Sequence, residues 1–172
     1  MHRFTEPTPV PTIADIISVF VEKWEIECCG IPSAVGYDAT WSLTFIESAS
    51  GRGGPLPAGA GWSTQTHLIT ASGIEAYWPN PDDVHVGVVH GYFSGTRHGA
   101  TVPDGIYPTT GLVIDLQLQT VEYQQTAGVR RPIPDTRLLR RIPESSKWFA
   151  DNLDTTHCIE AGFLMDLAVI YP

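Results

Sequence analysis

The chain has 172 residues, 42% of them apolar and 17% charged, with a formal net charge of −9. This length supports one ordinary domain with its own core, and the composition excludes a disordered tail. The acidic balance argues against nucleic-acid backbones and anionic membrane surfaces as partners.

Residues 1–12 carry Pro7, Pro9 and Pro11 and read as an extended arm; residues 13–172 read as a single β-rich domain. Residues 13–28 fit two patterns. Ile13, Ile16, Ile17, Phe20 and Trp24 fall on a helical stripe, while Ile17, Val19 and Val21 alternate as in a strand. The phase slips near Glu22–Lys23, and the β-branched content favours a strand with a bulge there. After the break at Gly30-Ile31-Pro32, residues 39–46 alternate cleanly. Ala39, Trp41, Leu43 and Phe45 share one face of this expected half-buried strand.

Five glycines and two prolines between Gly51 and Trp62 predict a long mobile loop. Further strands are expected at 65–71, 74–78, 84–93, 111–123, 137–142 and 157–170. The 111–123 strand places Leu112, Ile114, Leu116 and Leu118 on one face and then slips, which predicts a second bulge. Ser145 or Ser146 is expected to cap a short helical turn through Trp148 and Phe149. Seven or eight short strands with Gly/Pro turns predict an all-β fold. The expected architecture is a small, partly open antiparallel barrel or sandwich, with the first and last strands as neighbours.

Chemistry-bearing residues are scattered. The three cysteines are Cys28, Cys29 and Cys158, too few and too oddly placed for a disulfide framework. With no signal-peptide pattern and no apolar run of about 20 residues, the expected location is the cytoplasm. A metal site, with zinc as the natural ion, would draw on Cys28, Cys29, Cys158, His90 and His98. The paired spacing of zinc ligands is missing, and buried thiols acting as small apolar groups are the simpler reading. A Cys28–Cys29 disulfide would close a strained eight-membered ring, and nothing nearby in sequence lowers a thiol pKa.

Ser94-Gly95 suggests a hairpin turn. A three-residue turn would gather His90, His98 and Tyr92 with Arg97 nearby, as a small acid–base or anion site; a polar hairpin tip is the plainer alternative. Trp62 and Trp78 border turns and are candidates to line a groove. Residues 130–147 hold six bases against two acids. There Arg137, Arg140 and Arg141 are candidates to dock an acidic partner, although pairing with acidic neighbours explains them as simply. No nucleophile elbow, phosphate loop or dinucleotide fingerprint is present.

The segment Trp24-Glu-Ile-Glu-Cys28-Cys29-Gly30-Ile-Pro32, followed by Ala-Val-Gly36, resembles a family of small uncharacterised actinobacterial proteins. That family is a domain of unknown function with a W-x3-C-C-G-x-P-x-x-x-G motif. The stretches from His98 to Val102-Pro103, Pro108 to Val113, and Pro134 to Phe149 resemble it too. The sequence departs from the pattern at Tyr37-Asp38. The resemblance implies a bacterial, cytosolic, mostly β protein and supplies no activity.

The leading expectation is a non-catalytic binding or accessory protein. It would use a barrel groove or a sheet edge to hold a protein or a small molecule, and a homodimer remains an alternative. The other function class is a small metal- or histidine-dependent enzyme near His90/His98 and Cys28/Cys29.

Overall fold

The structure, a computed structural model, describes residues 13–48, 53–56, 59–63, 65–71, 74–79, 89–97, 102–151 and 157–170. In chain order the elements begin with β1 (Ile13–Glu22), α1 (Lys23–Cys28), β2 (Asp38–Glu47), β3 (Gly54–Pro55), β4 (Gly61–Ser63) and β5 (Leu68–Ala71). They continue with β6 (Ile74–Tyr77), β7 (His90–Thr96), β8 (Thr109–Thr126), β9 (Val129–Pro132), β10 (Leu138–Arg141) and β11 (Cys158–Ile170). The expected Pro-rich arm and the first half of the expected 84–93 strand lie outside the described residues, as does His98.

Five strands close a barrel in the order β8-β11-β1-β7-β2, and β2 pairs back onto β8. The first and last strands are indeed neighbours, running antiparallel from Ile16↔Ala168 to Glu22↔Gly162. Four of the five junctions are antiparallel; β1–β7 is parallel. A second sheet segment, β6-β5-β4, extends from β2. On the other side β10 and β9 extend from β8.

Period-two alternation builds the core. Ile17, Val19 and Val21 of β1 point inward with Trp41, Leu43 and Phe45 of β2 and with Phe163, Met165, Leu167 and Val169 of β11. The clean alternation at 39–46 is therefore borne out, and a strand is present within the expected 157–170. Each such side chain contributes roughly 1.5–3 kcal/mol when fully buried.

Several local expectations need correction. The phase slip at Glu22–Lys23 is a strand-to-helix junction, not a bulge: the chain leaves the barrel wall and winds one short helix, α1. Trp24 lies on the outer side of that helix, 46% exposed. The glycine-rich stretch contains two short strands, β3 and β4. In β8 the inner face is Val113, then Leu116, Leu118 and Val121, so Leu112 and Ile114 point elsewhere. The ladder with β11 shifts between Asp115 and Val113, which makes Ile114 the extra, outward residue. A second shift lies on β11 between Glu160 and Gly162. Ser145 caps no helix. It is buried, exchanging backbone and side-chain hydrogen bonds with Ser33.

The Ser94-Gly95 turn is also overturned. Both residues lie inside β7, which runs through to Thr96. Gly95 is there for packing: a Cβ on it would sit 3.0 Å from Val19 and 3.2 Å from the Trp41 ring. Trp78 is likewise core, edge-on to Phe45 at 6.0 Å, and lines no groove.

Helix α1 fastens the far end of β7. Glu25 is only 2% exposed, and its carboxylate accepts from Thr96 Oγ1 at 2.6 Å and from the Arg97 backbone N–H at 3.1 Å. Hydrogen bonds to a buried charge are among the stronger ones. Glu25→Ala is expected to lower unfolding free energy by about 2 kcal/mol, because it strands the Arg97 N–H and opens a void. Chemical denaturation measures this, and Glu25→Gln should recover part of the loss.

Candidate functional site

Among the described residues, a concavity lies on the outer wall of the barrel, at the parallel junction. There β1 and β7 share only two residue pairs, Val19↔Phe93 and Phe20↔Ser94. Beyond those pairs β3 takes the place of β1 beside β7, through Gly54↔Gly91 and Pro55↔His90. The opening between the parting strands is a groove of about 520 Å³.

Glycine makes the substitution of β3 for β1 sterically feasible. A Cβ on Gly53 would fall 1.8 Å from the Gly91 carbonyl oxygen of β7; one on Gly91 would instead fall 2.3 Å from the Ile46 oxygen of β2, on its other side. Gly53 also has φ +81°, a conformation that costs other residues strain. The two backbones therefore pack directly on each other.

Apolar side chains supply most of the groove wall. Ile16 and Phe20 face outward from β1, Tyr92 from β7, Leu164 from β11 and Leu139 from β10. Ile17 and Phe93 reach the groove from the core side. Polar groups are few: Asp15 and Ser18 on β1, Gln119 on β8, and Arg137 just before β10. Ser18 donates to Asp166 at 2.6 Å, which satisfies that hydroxyl, whereas Gln119 brings a buried amide with both a donor and an acceptor. The surface is a mixed apolar and polar trough with a guanidinium and a carboxylate on its lining.

Of the residues singled out from sequence, Tyr92 and Arg137 meet in this groove. His90 is exposed beside Pro55, next to the groove but not lining it. Arg97 is at the opposite end of β7, about 20 Å from His90 at the rise of an extended strand. Its guanidinium lies 4.6 Å from the Trp41 ring centroid, a packing role.

Cys28 and Cys29 lie at the end of α1, on the Thr96 side of the barrel, and are likewise remote from His90. They are exposed, which corrects the reading of them as buried apolar groups. Cys158 opens β11 opposite Glu122. Among the described residues no three His, Cys, Asp or Glu side chains come together as a metal-holding group.

Trp62 is 43% exposed on β4, away from the groove. Arg140 and Arg141 are exposed on β10, where Arg141 Nε lies 3.3 Å from Asp115. Arg130 and His157 share a small cleft of only about 20 Å³.

The family model for DUF6578, described as a family of unknown function, matches residues 15–169. The chain belongs to that family. No curated protein and no solved structure matches it. No helix among the described residues of this DUF6578 chain is long and apolar enough to cross a membrane.

Ile16, Phe20, Leu139 and Leu164 escaped the reading of the sequence, which followed the inner faces alone. Their signal was present. β1 is apolar on both faces, Ile17-Val19-Val21 inward and Ile16 and Phe20 outward. The outer set is more than the core requires, since Ile16 is 60% exposed. Ile16→Asp and Leu139→Asp in the DUF6578 chain are therefore each expected to change stability by no more than about 0.5 kcal/mol. A thermal melt measures this, and a large loss would mean that these residues serve packing instead.

Proposed function

We propose that this protein is a non-catalytic binding module that holds a small amphipathic organic molecule in the groove at the β1–β7 junction. The observation that carries this reading is the groove itself. Its volume of about 520 Å³ falls within the range of small-molecule sites, roughly 300–1,000 Å³. Its lining follows the same pattern, with apolar and aromatic walls and a handful of polar groups to orient the ligand.

The ligand that fits has a flat or branched apolar body, set against Ile16, Phe20, Tyr92 and Leu139. A hydrogen-bonding end would meet Gln119 and Arg137. The open sheet edges suit a polypeptide partner less well. β4 has three residues and β10 has four, too short a ladder for a firmly added strand. Burial of the apolar body supplies most of the affinity, while the polar groups select among ligands.

Native mass spectrometry of untagged protein purified from its host tests the proposal. A discrete mass above the chain, released by denaturation and identified as an organic molecule, is the expected result. Added back at a hundredfold excess over its Kd, that molecule should stabilise the fold by about 2.7 kcal/mol. The stabilisation should vanish in the Ile16→Asp, Leu139→Asp double variant, whose own melting temperature stays near that of the parent. A bare chain mass, together with no thermal shift from a metabolite library, would remove the support for a small-molecule site.

A further inference from the structure

A second site lies at the other end of β1 and is independent of the groove. Cys28 ends α1 and Cys29 follows as its cap. Both side chains are exposed, and their sulfur atoms are 2.9 Å apart. Neither is joined in a disulfide.

The backbone carrying the pair is held on both sides. Lys147 donates to the carbonyl oxygen of Ile26, two residues before the pair, and to that of Gly30 at 3.0 Å, just after it. Gly30 is buried, and a Cβ there would lie 2.6 Å from the Glu25 carbonyl oxygen and 2.8 Å from the Ile26 Cα. The chain therefore doubles back tightly over the end of the helix. The two thiols stand on a fixed arch, facing solvent.

The arch also places positive charge beside the sulfurs, which sequence spacing alone did not reveal. Cys29 holds its proton more tightly than an ordinary thiol, first because it hydrogen-bonds to Cys28, with some desolvation adding to this. The Lys147 ammonium pulls in the opposite direction. Either sulfur can donate across the 2.9 Å contact, and that contact holds the Cys29 proton in place while Cys28 is the partner. One nucleophilic sulfur beside one waiting thiol is the arrangement that thiol–disulfide exchange requires.

We propose that Cys28–Cys29 is a thiol–disulfide exchange site that reacts with low-molecular-weight disulfides. The Cys28 thiolate attacks one sulfur of the external disulfide, forming a mixed disulfide and expelling one thiolate. Cys29 then loses its proton to solvent and attacks the Cys28 sulfur. The Cys28–Cys29 bond forms and the second thiolate leaves. The protein gives up two electrons and two protons, and the external disulfide is reduced to two thiols.

Closing the ring brings the sulfurs from 2.9 Å to about 2.05 Å, a movement of under an ångström. The strain lies in the backbone. Neighbouring Cα atoms are about 3.8 Å apart, below the usual disulfide range of about 4.4–6.8 Å. A strained, exposed bond of this kind is readily reduced, so the site is oxidised only when disulfide is in excess over thiol.

The test equilibrates the reduced full chain with mixtures of reduced and oxidised glutathione, quenches with acid, alkylates, and maps peptides by mass. The expected result is the loss of two hydrogens confined to the Cys28–Cys29 peptide, reversed when reduced glutathione dominates. Cys29→Ser should stop at a mixed disulfide with glutathione on Cys28. Both positions are exposed, so the serine variants keep the fold, which a thermal melt verifies. Three results would each overturn the proposal: both thiols still alkylated at every ratio, a mixed disulfide that persists on the parent chain, or a bridge to Cys158 or to a second chain.

Discussion

A ring of five strands cannot be antiparallel at every junction. Direction alternates from strand to strand, and an odd ring returns to its start with one pair pointing the same way. Here that pair is β1 and β7. Parallel pairing is slightly weaker per residue than antiparallel pairing, and this seam is only two residue pairs long. Everything distinctive on the outer wall follows from it. The strands part beyond Val19 and Phe93, β3 fills the vacated edge, and a trough opens between them. The groove is thus the consequence of strand parity and of one glycine, Gly53, that lets β3 come close to β7.

The rest of the ring is built to tolerate that weak seam. β8 has eighteen residues and pairs with β11, β2, β9 and β10. To serve partners on different sides it must bend, and the two register shifts in its ladder with β11 supply the bend. At the seam's other end the Glu25 carboxylate holds β7 through Thr96 and Arg97, so the strand is gripped where its pairing with β1 runs out. The same short helix carries the two thiols. Groove and thiols consequently stand at opposite ends of β1, with no lining residue in common.

Much of the barrel was legible in the sequence because alternation is a strong signal. Trp41, Leu43 and Phe45 announced an inner face, and the β-branched N-terminal segment announced a strand. Misreadings arose where a short-range cue had two structural uses. Gly95 looked like a turn and is a packing glycine, because Val19 and Trp41 crowd its Cα. The slip at Glu22–Lys23 looked like a bulge and is a helix start, since six residues are too few to show a helical period. Tyr92 and Arg137 were singled out for other reasons and both reached the groove. Lys147 is 117 residues from Gly30, so no spacing rule could have placed its ammonium over the thiol-bearing arch.

The adjacency of β1 and β11 also dictates when this protein can fold. Their ladder joins Ile16 to Ala168 and Val21 to Phe163, so the ring cannot close until almost the whole described chain is available. Contacts of such long sequence separation demand a large loop-closure entropy before they return any stabilisation, which makes barrels of this kind slow to form. During synthesis, the apolar inner face of β1 and its apolar outer face would both wait without their partner strand. A nascent chain in that state exposes Ile16, Ile17, Val19, Phe20 and Val21 together, a short β-prone stretch with no charge between Ile16 and Val21. The segment that later forms one wall of the groove is, for that interval, a stretch in need of protection from aggregation.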